Sequence, residues 1–357
     1  MTAPLDHSKV TAPLKHVRKP LPHDSAEMHV TGTAPYIDDL TEAVGTLHVV
    51  PGWARSAVRG KISSIDLTDV SASDGVVAVL TSEDIPGTND CSSGFGDDPV
   101  LADGEILLYG QVVFAVVAET RDQARKAALK AKIEVAPIPP ILTQEDAEAA
   151  ETMVLPDYQF RRGSPETGMT AAEEVLSGSF RIGGQEHFYL EGQIAMAVPQ
   201  EAGGMLVHTS TQHPTEVQHT VAKVLGVPDA LVTAEVRRMG GGFGGKESQA
   251  NQWASLAALA AHATGRACKV RLDRDDDMIM TGKRHDFRVD WTVGHDGTGK
   301  IRAVDMEFLA RCGYSVDLSL GVNDRTLFHA DSSYFYPDAA IRSRRLKTDT
   351  CSNTAFR

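Results

Sequence analysis

The stretch Met239–Glu247, MGGGFGGKE, places five glycines within six consecutive positions. It follows the strand-like segment Leu231–Val236 and precedes an alanine-rich segment, 248–264, that is typical of a helix and ends before Gly265. Glycines let a backbone approach a ligand closely, and free N–H groups at the start of a helix bind phosphate or oxo groups. Because a tight turn needs fewer glycines, the pattern favours a ligand-binding loop over a plain strand-to-helix turn.

Two other phosphate-binding patterns compete for this loop. Gly240, Gly245 and Lys246 match the front of a P-loop. The next position must be Ser or Thr to hold magnesium, but it is Glu247, whose carboxylate repels phosphate and excludes a nucleoside triphosphatase. Gly240, Gly242 and Gly245 also fit the dinucleotide-binding spacing, yet no acidic residue closes a second strand about 20 residues later, as ribose recognition requires. A dinucleotide site stays open as the second interpretation.

The strand–loop–helix arrangement occurs twice in this part of the chain. The strand-like segment Met205–Ser210 runs into Gln212, and a helical segment then continues to Leu225. Further along, Phe287–Val293 alternates apolar and polar residues, and the pair Asp296–Gly297 predicts the turn of a β-hairpin.

The leading part of the chain mixes strands with one helical crossover, which indicates an α/β or α+β domain. The predicted strands are Gly75–Thr81, Gly110–Ala118 and Lys132–Ala136, with a helix over Thr120–Lys132. At roughly 150 residues per domain, two domains are expected, and we place the boundary in the proline-rich, acidic stretch after Ala136.

The charge composition of the chain limits the classes of partner that it is expected to bind. The chain has 357 residues and a formal net charge of -13, from 48 acidic and 35 basic residues. This balance argues against nucleic acid or an anionic membrane as the main partner. No stretch approaches the roughly 20 apolar residues of a membrane span, and no secretory signal is recognisable. We expect a soluble, cytoplasmic protein.

The four cysteines, Cys91, Cys268, Cys312 and Cys351, are widely spaced and form no C-x-x-C motif. Iron–sulfur clusters and structural zinc need clustered thiolates, so neither is expected in this chain. The pattern indicates four reduced thiols, as in a cytosolic protein.

The full phrase VRRMGGGFGGKE at 236–247 resembles the molybdopterin subunit of the xanthine dehydrogenases, a family of molybdenum hydroxylases. Further motifs follow the family in the same order over essentially all of 183–357, and HVTGTAPYIDDL resembles the start of the family's smaller leading domain. The motifs are HVTGTAPYIDDL (29–40), GGQEHFYLEGQ (183–193), TSTQHPTEVQ (209–218), TGKRHDF (281–287), NDRTLFH (323–329) and SNTAFR (352–357).

The resemblance implies an α+β (mixed α/β) fold. A small leading α/β hammerhead-like domain is followed by the first part of a molybdopterin-binding α+β domain. We therefore divide the chain into an extended N-terminal arm (1–26), the hammerhead-like domain (27–137), a linker (138–160) and the first part of the molybdopterin-binding domain (161–357).

The resemblance also implies four cofactor-binding residues, Gln212, Gly242, Phe243 and Arg357. In the family the glutamine hydrogen-bonds an oxygen ligand of molybdenum, the phenylalanine backbone lies against the metal's ligand sphere, and the arginine lies near the metal. Spacing alone equally fits Gln212 as a polar residue at a helix start, and Phe243 as a core anchor. Molybdenum in this family is held through the dithiolene of the pterin, so no metal-ligating side chain is expected.

Two further residues, Glu247 and Arg325, are the expected catalytic pair. In purine-oxidising relatives the glutamate hydrogen-bonds the purine, and the arginine stabilises negative charge that develops on it during attack; aldehyde oxidases carry an apolar residue at the glutamate position. The simpler alternatives are a helix-start carboxylate favoured by the helix dipole and a surface arginine paired with Asp324. An apolar aldehyde would leave both charges unpaired, which favours a purine.

The activity implied is hydroxylation of xanthine or hypoxanthine with water. Molybdenum–molybdopterin is the expected cofactor, and electrons would pass through 2Fe-2S clusters and FAD on a partner subunit to NAD. The expected assembly is a hetero-oligomer with that iron–sulfur/FAD subunit. The alternatives are a related hydroxylase for an aldehyde or another N-heterocycle, and a non-catalytic fragment that needs a complementing chain. The family's glycine-rich stretch after TAFR and its general-base glutamate have no counterpart here, so we expect an incomplete subunit.

Overall fold

A computed structural model of the chain describes residues 15–356. The beginning of the predicted arm and Arg357 therefore lie outside the described residues. The leading part contains, in chain order, α1 (Ala26–Thr31), β1 (Leu47–Gly52), β2 (Gly60–Asp66), α2 (Thr68–Ser71), β3 (Val76–Leu80), β4 (Glu105–Ile106), β5 (Phe114–Ala118), α3 (Arg121–Ala128) and β6 (Lys132–Pro137).

The second part is longer and contains most of the strands. In chain order its elements are α4 (Gln144–Ala149), β7 (Met153–Arg162), α5 (Pro165–Thr170), β8 (Glu174–Ile182), β9 (Ile194–Pro199), β10 (Met205–Thr209), α6 (Pro214–Leu225), β11 (Val232–Glu235), α7 (Ala250–Thr264), β12 (Cys268–Arg271), α8 (Arg274–Met280), β13 (Phe287–His295), β14 (Ile301–Gly313), α9 (Ser319–Phe328) and β15 (Asp338–Lys347).

The two parts share one seven-stranded sheet, in the order β11-β10-β9-β12-β1-β5-β3. Strand β1 joins them, because it pairs parallel with β12 from Leu47 opposite Cys268 to Val49 opposite Val270, and antiparallel with β5. Helix α7 contacts this sheet and buries Trp253. One apolar core therefore contains side chains from both parts.

A second sheet, of five strands in the order β7-β15-β14-β13-β8, forms the wall of the site described below. The predicted hairpin is confirmed: β13 and β14 pair antiparallel, starting from Phe287 opposite Ala310, and the turn contains Asp296 and Gly297. The predicted α+β fold class is confirmed as well.

Two predicted elements are shorter than expected. The helix of the leading part begins at Arg121 because Thr120 caps it, accepting a hydrogen bond from the Gln123 N–H at 3.2 Å. The strand predicted to begin at Gly110 begins at Phe114, and the residues between them form neither helix nor strand.

The stretch 138–160, predicted as a linker, contains regular secondary structure. Its acidic run forms α4, whose first turn is capped by Thr143, and β7 then pairs antiparallel with β15, with Phe160 opposite Ile341. The acidic side chains contribute to order instead of preventing it, because Glu145 and Glu148 form ion pairs with Arg288 of β13. The domain boundaries themselves stay predictions.

The described portion of the arm, from residue 15, is exposed except at the buried Ser25 and the half-buried Ala26. Ser25 Oγ accepts a hydrogen bond from Arg238 at 3.1 Å, and Asp24 pairs with Arg237 at 2.9 Å. These contacts attach the arm to the residues that lead into the glycine loop.

Within residues 15–356, every helix is too short or too polar to cross a membrane.

The shared sheet predicts that both parts unfold together. Leu47 is fully buried on the joining strand β1, so Leu47→Ala should lower the free energy of unfolding by about 2–5 kcal/mol. Urea unfolding, followed by intrinsic fluorescence and by circular dichroism, should show one shifted transition for both signals. Leu129→Ala, at a leucine that is 65% exposed, is the matched control and should change little. Two separate transitions, with only one of them shifted, would contradict the shared core.

Candidate functional site: the glycine loop and the adjoining cavity

The side chain of Gln212, which lies just before α6, holds the glycine loop, residues 240–247. Gln212 Oε1 accepts hydrogen bonds from the backbone N–H groups of Gly244 at 2.8 Å and Lys246 at 3.3 Å. The Gln212 backbone N–H in turn donates to the Lys246 carbonyl at 2.8 Å. The two strand–loop–helix units seen in the sequence are therefore connected directly, loop to loop.

Close packing against other parts of this protein explains most of the glycines. A Cβ atom on Gly242 would lie 2.6 Å from Gln212 Oε1, and one on Gly245 would lie 2.7 Å from the His187 ring. At Gly244, where φ is +100°, it would lie 2.3 Å from the Ala355 carbonyl oxygen. The number of glycines alone is therefore not evidence that the loop binds a ligand.

Lys246 holds the loop from the interior of the protein. Its side chain is fully buried, and Nζ donates to the Glu191 carbonyl at 2.6 Å and to Ser210 Oγ at 2.7 Å. Nζ also lies 3.7 Å from Glu191 Oε2 and 4.5 Å from the centre of the Tyr189 ring. Burial lowers the pKa of Lys246 to about 8. A lysine in this position cannot reach a phosphate above the loop, which agrees with the rejection of a P-loop.

A second buried network supports the same loop. Gln193 Nε2 donates to the Gly245 carbonyl and to the Tyr189 hydroxyl, each at 3.0 Å. The Tyr189 hydroxyl donates to Asp277 Oδ1 at 2.7 Å. No role was predicted for these residues from the sequence. Tyr189 and Gln193 lie within the motif at 183–193, whereas Asp277 lies in none of the quoted motifs.

A cavity of about 1840 Å³ opens beside the loop, between the five-stranded sheet and α9. This volume exceeds that of a typical small-ligand pocket. One wall is apolar and consists of Phe180, Ile182, Phe287, Trp291, Met306 and Phe308; polar lining residues include Glu247, Arg284, His285, Asp317, Arg325 and Thr354.

Glu247 and Arg325 line this same cavity. Glu247 is half-buried and Arg325 is exposed, and among the described residues neither side chain forms an ion pair or a hydrogen bond. Asp324 pairs with Arg345 instead, so the alternative of a surface pair with Arg325 is not what the structure contains. Neither charge is fully buried in this chain. An apolar ligand that left both charges unpaired would therefore cost less free energy than if both were fully buried.

His285 supplies a neutral part of the cavity wall. Its ring is almost completely buried, and Nε2 lies 2.7 Å from Ser319 Oγ. Burial lowers the pKa of His285 to about 4, so the ring carries no charge near neutral pH.

The predicted cofactor residues lie together at the loop, except Arg357, which is outside the described residues. Gly242 is buried against Gln212. Phe243 has a left-handed backbone, with φ at +56°, and its side chain is 50% exposed, so it is not a core anchor. The loop meets the cavity at Gly244, which packs against Ala355 of the cavity wall.

Within residues 15–356, no group of three or more His, Cys, Asp or Glu side chains could hold a metal ion. Donors for a ligand are nevertheless available at the loop: the N–H groups of Gly242 and Phe243 and the Gln212 side-chain nitrogen donate to no acceptor among the described residues. Such a set can bind an anionic or oxygen-bearing group.

Comparison with known families agrees with this architecture. Residues 146–357 match the molybdopterin cofactor-binding domain, and residues 31–139 match the a/b hammerhead domain of aldehyde oxidase and xanthine dehydrogenase. The chain therefore belongs to the molybdopterin-binding family of the xanthine dehydrogenases and aldehyde oxidases.

Among individual relatives, xanthine dehydrogenase/oxidase of Mus musculus is 41% identical over 96% of this chain, and xanthine dehydrogenase of Dictyostelium discoideum is 38% identical over 97% of it. Aldehyde oxidase 3 of Rattus norvegicus is 36% identical over 95% of it. The chain spans about a quarter of the length of these relatives, between 25% and 26%.

A solved structure has the same fold. The aldehyde oxidoreductase from Desulfovibrio gigas superposes with a TM-score of 0.86 at 25% identity, and the match covers 94% of this chain and 39% of that one.

The packing of Gly242 predicts a steric effect at the loop. Gly242→Ala should displace Gln212 and lower the free energy of unfolding by about 1–3 kcal/mol, as measured by urea unfolding. Gly183→Ala, where a Cβ would meet nothing within 4 Å, is the matched control and should stay close to wild type. Equal stability of the two variants would show that the loop does not depend on this contact.

Proposed function

We propose that this chain forms the first part of the molybdopterin-binding unit of an enzyme that hydroxylates xanthine or hypoxanthine with water. It would do so together with polypeptide that corresponds to the rest of its longer relatives. One observation carries the choice of a purine: Glu247 and Arg325 line a single cavity, and neither is engaged by another described residue.

The loop has the features that a molybdopterin cofactor needs. Gln212 uses its side-chain oxygen to hold the loop, which leaves the amide nitrogen to donate to an oxygen of the cofactor. The free N–H groups of Gly242 and Phe243 add two donors, and Arg357 would add a positive charge. When bound, the cofactor would supply the oxygen-transfer and two-electron chemistry of the reaction.

The residues of this chain would bind and orient the substrate. Glu247 would accept a hydrogen bond from a purine N–H, which fixes the ring in the cavity. Arg325 would stabilise the negative charge that spreads over the purine during reaction, so its interaction is stronger in the transition state than with the substrate. The aromatic wall formed by Phe287 and Trp291 would cover the flat ring and exclude water.

The partners follow from the same proposal. The electrons would leave through 2Fe-2S clusters and FAD on a partner subunit to NAD, in a cytoplasmic hetero-oligomer. A non-catalytic chain that needs a complementing chain is the alternative.

A second substrate class has its own supporting observation. The cavity wall is largely apolar, Arg325 is exposed, and aldehyde oxidase 3 is among the relatives. An aldehyde or another N-heterocycle would need neither charged residue.

The purine proposal predicts different kinetic effects for the two charges. In the complete enzyme, Glu247→Gln should raise KM for xanthine by about 10-fold, because one hydrogen bond to a charged group is weakened. Arg325→Met should lower kcat by about 100-fold or more, because the group acts on charge in the transition state. Arg302→Met, at a surface ion pair with Asp296 on the β13–β14 hairpin, is the control and should leave both constants unchanged. Full xanthine turnover in both Glu247→Gln and Arg325→Met would overturn the purine assignment and favour an aldehyde or another N-heterocycle as the substrate.

A further inference from the structure

Asp317 has an unusual place in the molecule. It directly precedes the segment that forms α9, it is only 5% exposed, and its φ of +42° is rarely adopted by residues other than glycine, asparagine and aspartate. Asp317 lines the large cavity on one side and, on the other, a polar cavity of about 20 Å³.

The carboxylate of Asp317 holds the residues that follow Glu247. It accepts hydrogen bonds from Ser248 Oγ and Gln249 Nε2. Gln249 Oε1 also accepts from the Gly282 N–H at 2.9 Å, which ties this segment to the loop before β13. Glu247 itself has no such tether, so its position depends on these two neighbours.

A second carboxyl group, from the leading part of the chain, faces the same small cavity. Asp98 lines it together with Asp317 and Ser248, and the Tyr314 hydroxyl donates to Asp98. A volume of about 20 Å³ suffices for one water molecule. Two carboxyl groups in such a place are unfavourable when both are ionised.

The other charged groups around the pair do not neutralise it. Glu216 and Asp97 add negative charge, and the nearby cation, Lys223, pairs with Asp90 at 2.6 Å. Burial raises the pKa of Asp98 to about 7 and that of Asp317 to about 7. The pair therefore changes its protonation near neutral pH.

We propose that Asp317 is a positioning residue for Glu247, and that the carboxyl groups of Asp317 and Asp98, which line one small cavity, take up protons near neutral pH, so that the placement of Glu247 depends on pH. This inference rests on the proposed purine contact of Glu247. An ionised Asp317 accepts from both Ser248 and Gln249, whereas a protonated one turns an acceptor oxygen into a donor and loosens one of the two contacts.

The kinetic test uses the complete enzyme and compares Asp317→Asn with Asp103→Asn, an exposed aspartate that lines neither cavity. Wild-type KM for xanthine should rise several-fold relative to Asp317→Asn as pH falls through about 7, because only the wild type loses a contact on protonation. Above that pH, Asp317→Asn should have a KM about 3- to 10-fold above wild type with a smaller change in kcat. Ser248→Ala removes the hydrogen bond that Ser248 donates to Asp317 and should also raise KM. This variant tests the same contact if Asp317→Asn folds poorly.

A stability measurement separates this inference from the proposed function. A raised carboxyl pKa means that the folded state holds protons that the unfolded state has lost, so stability falls as pH rises from about 4 to about 7. The urea midpoint of the wild-type chain should fall between about pH 5 and about pH 8, while those of Asp317→Asn and Asp98→Asn should fall less. Asp103→Asn should behave as wild type.

Each outcome decides one point. If Glu247→Gln leaves KM unchanged, the purine contact is wrong, and the positioning of Glu247 for purine binding is wrong with it. If Glu247→Gln raises KM but Asp317→Asn and Ser248→Ala follow the wild-type KM at every pH, only the positioning role is overturned. If the urea midpoints of all four proteins change equally with pH, the proton uptake by Asp98 and Asp317 is overturned.

Discussion

The structure depends on one contact, between the side-chain oxygen of Gln212 and the backbone N–H groups of Gly244 and Lys246. This contact bends the loop around an acceptor that belongs to the protein. Lys246 then fixes the loop from the interior, where its buried ammonium group donates to Glu191 and Ser210. A buried cation is costly unless it is paired and hydrogen-bonded, so this arrangement strongly restricts the path of the chain. The loop is therefore shaped before any ligand arrives.

That restriction places the rest of the site. The loop ends at Glu247, and Asp317 holds the next two residues through hydrogen bonds with their side chains. The five-stranded sheet supplies the apolar wall, and Arg325 on α9 faces the same space. The shared seven-stranded sheet holds the leading part against this arrangement through β1 and β12. The site therefore combines unused backbone and amide donors at the loop with a cavity that has one apolar wall and two unpaired charges among the described residues.

The sequence predicted the fold class and the repeated strand–loop–helix units because these depend on local periodicity and on motifs that lie close together. The proline and acidic residues at 138–160 predicted a linker and gave no sign of the helix and strand found there, because the ion pairs of Glu145 and Glu148 with Arg288 connect positions far apart in the chain. The sequence also did not show the second reason for the glycines, which is that Gln212, His187 and Ala355, residues far apart in the chain, crowd three of them. Asp317 was missed because its partners, Ser248 and Gln249, are about 70 positions away in sequence and follow no spacing rule.

Hydrogen–deuterium exchange on the purified, cofactor-free chain tests most directly whether the protein itself shapes the loop. The amides of Gly244 and Lys246 should exchange slowly in the wild type, and Gln212→Ala should speed both by about 10-fold or more, because each loses its acceptor. His213→Ala, which changes the exposed neighbouring side chain, should leave them slow. Fast exchange of both amides in the wild-type chain would contradict the account, since the loop would then take its shape only from a bound cofactor.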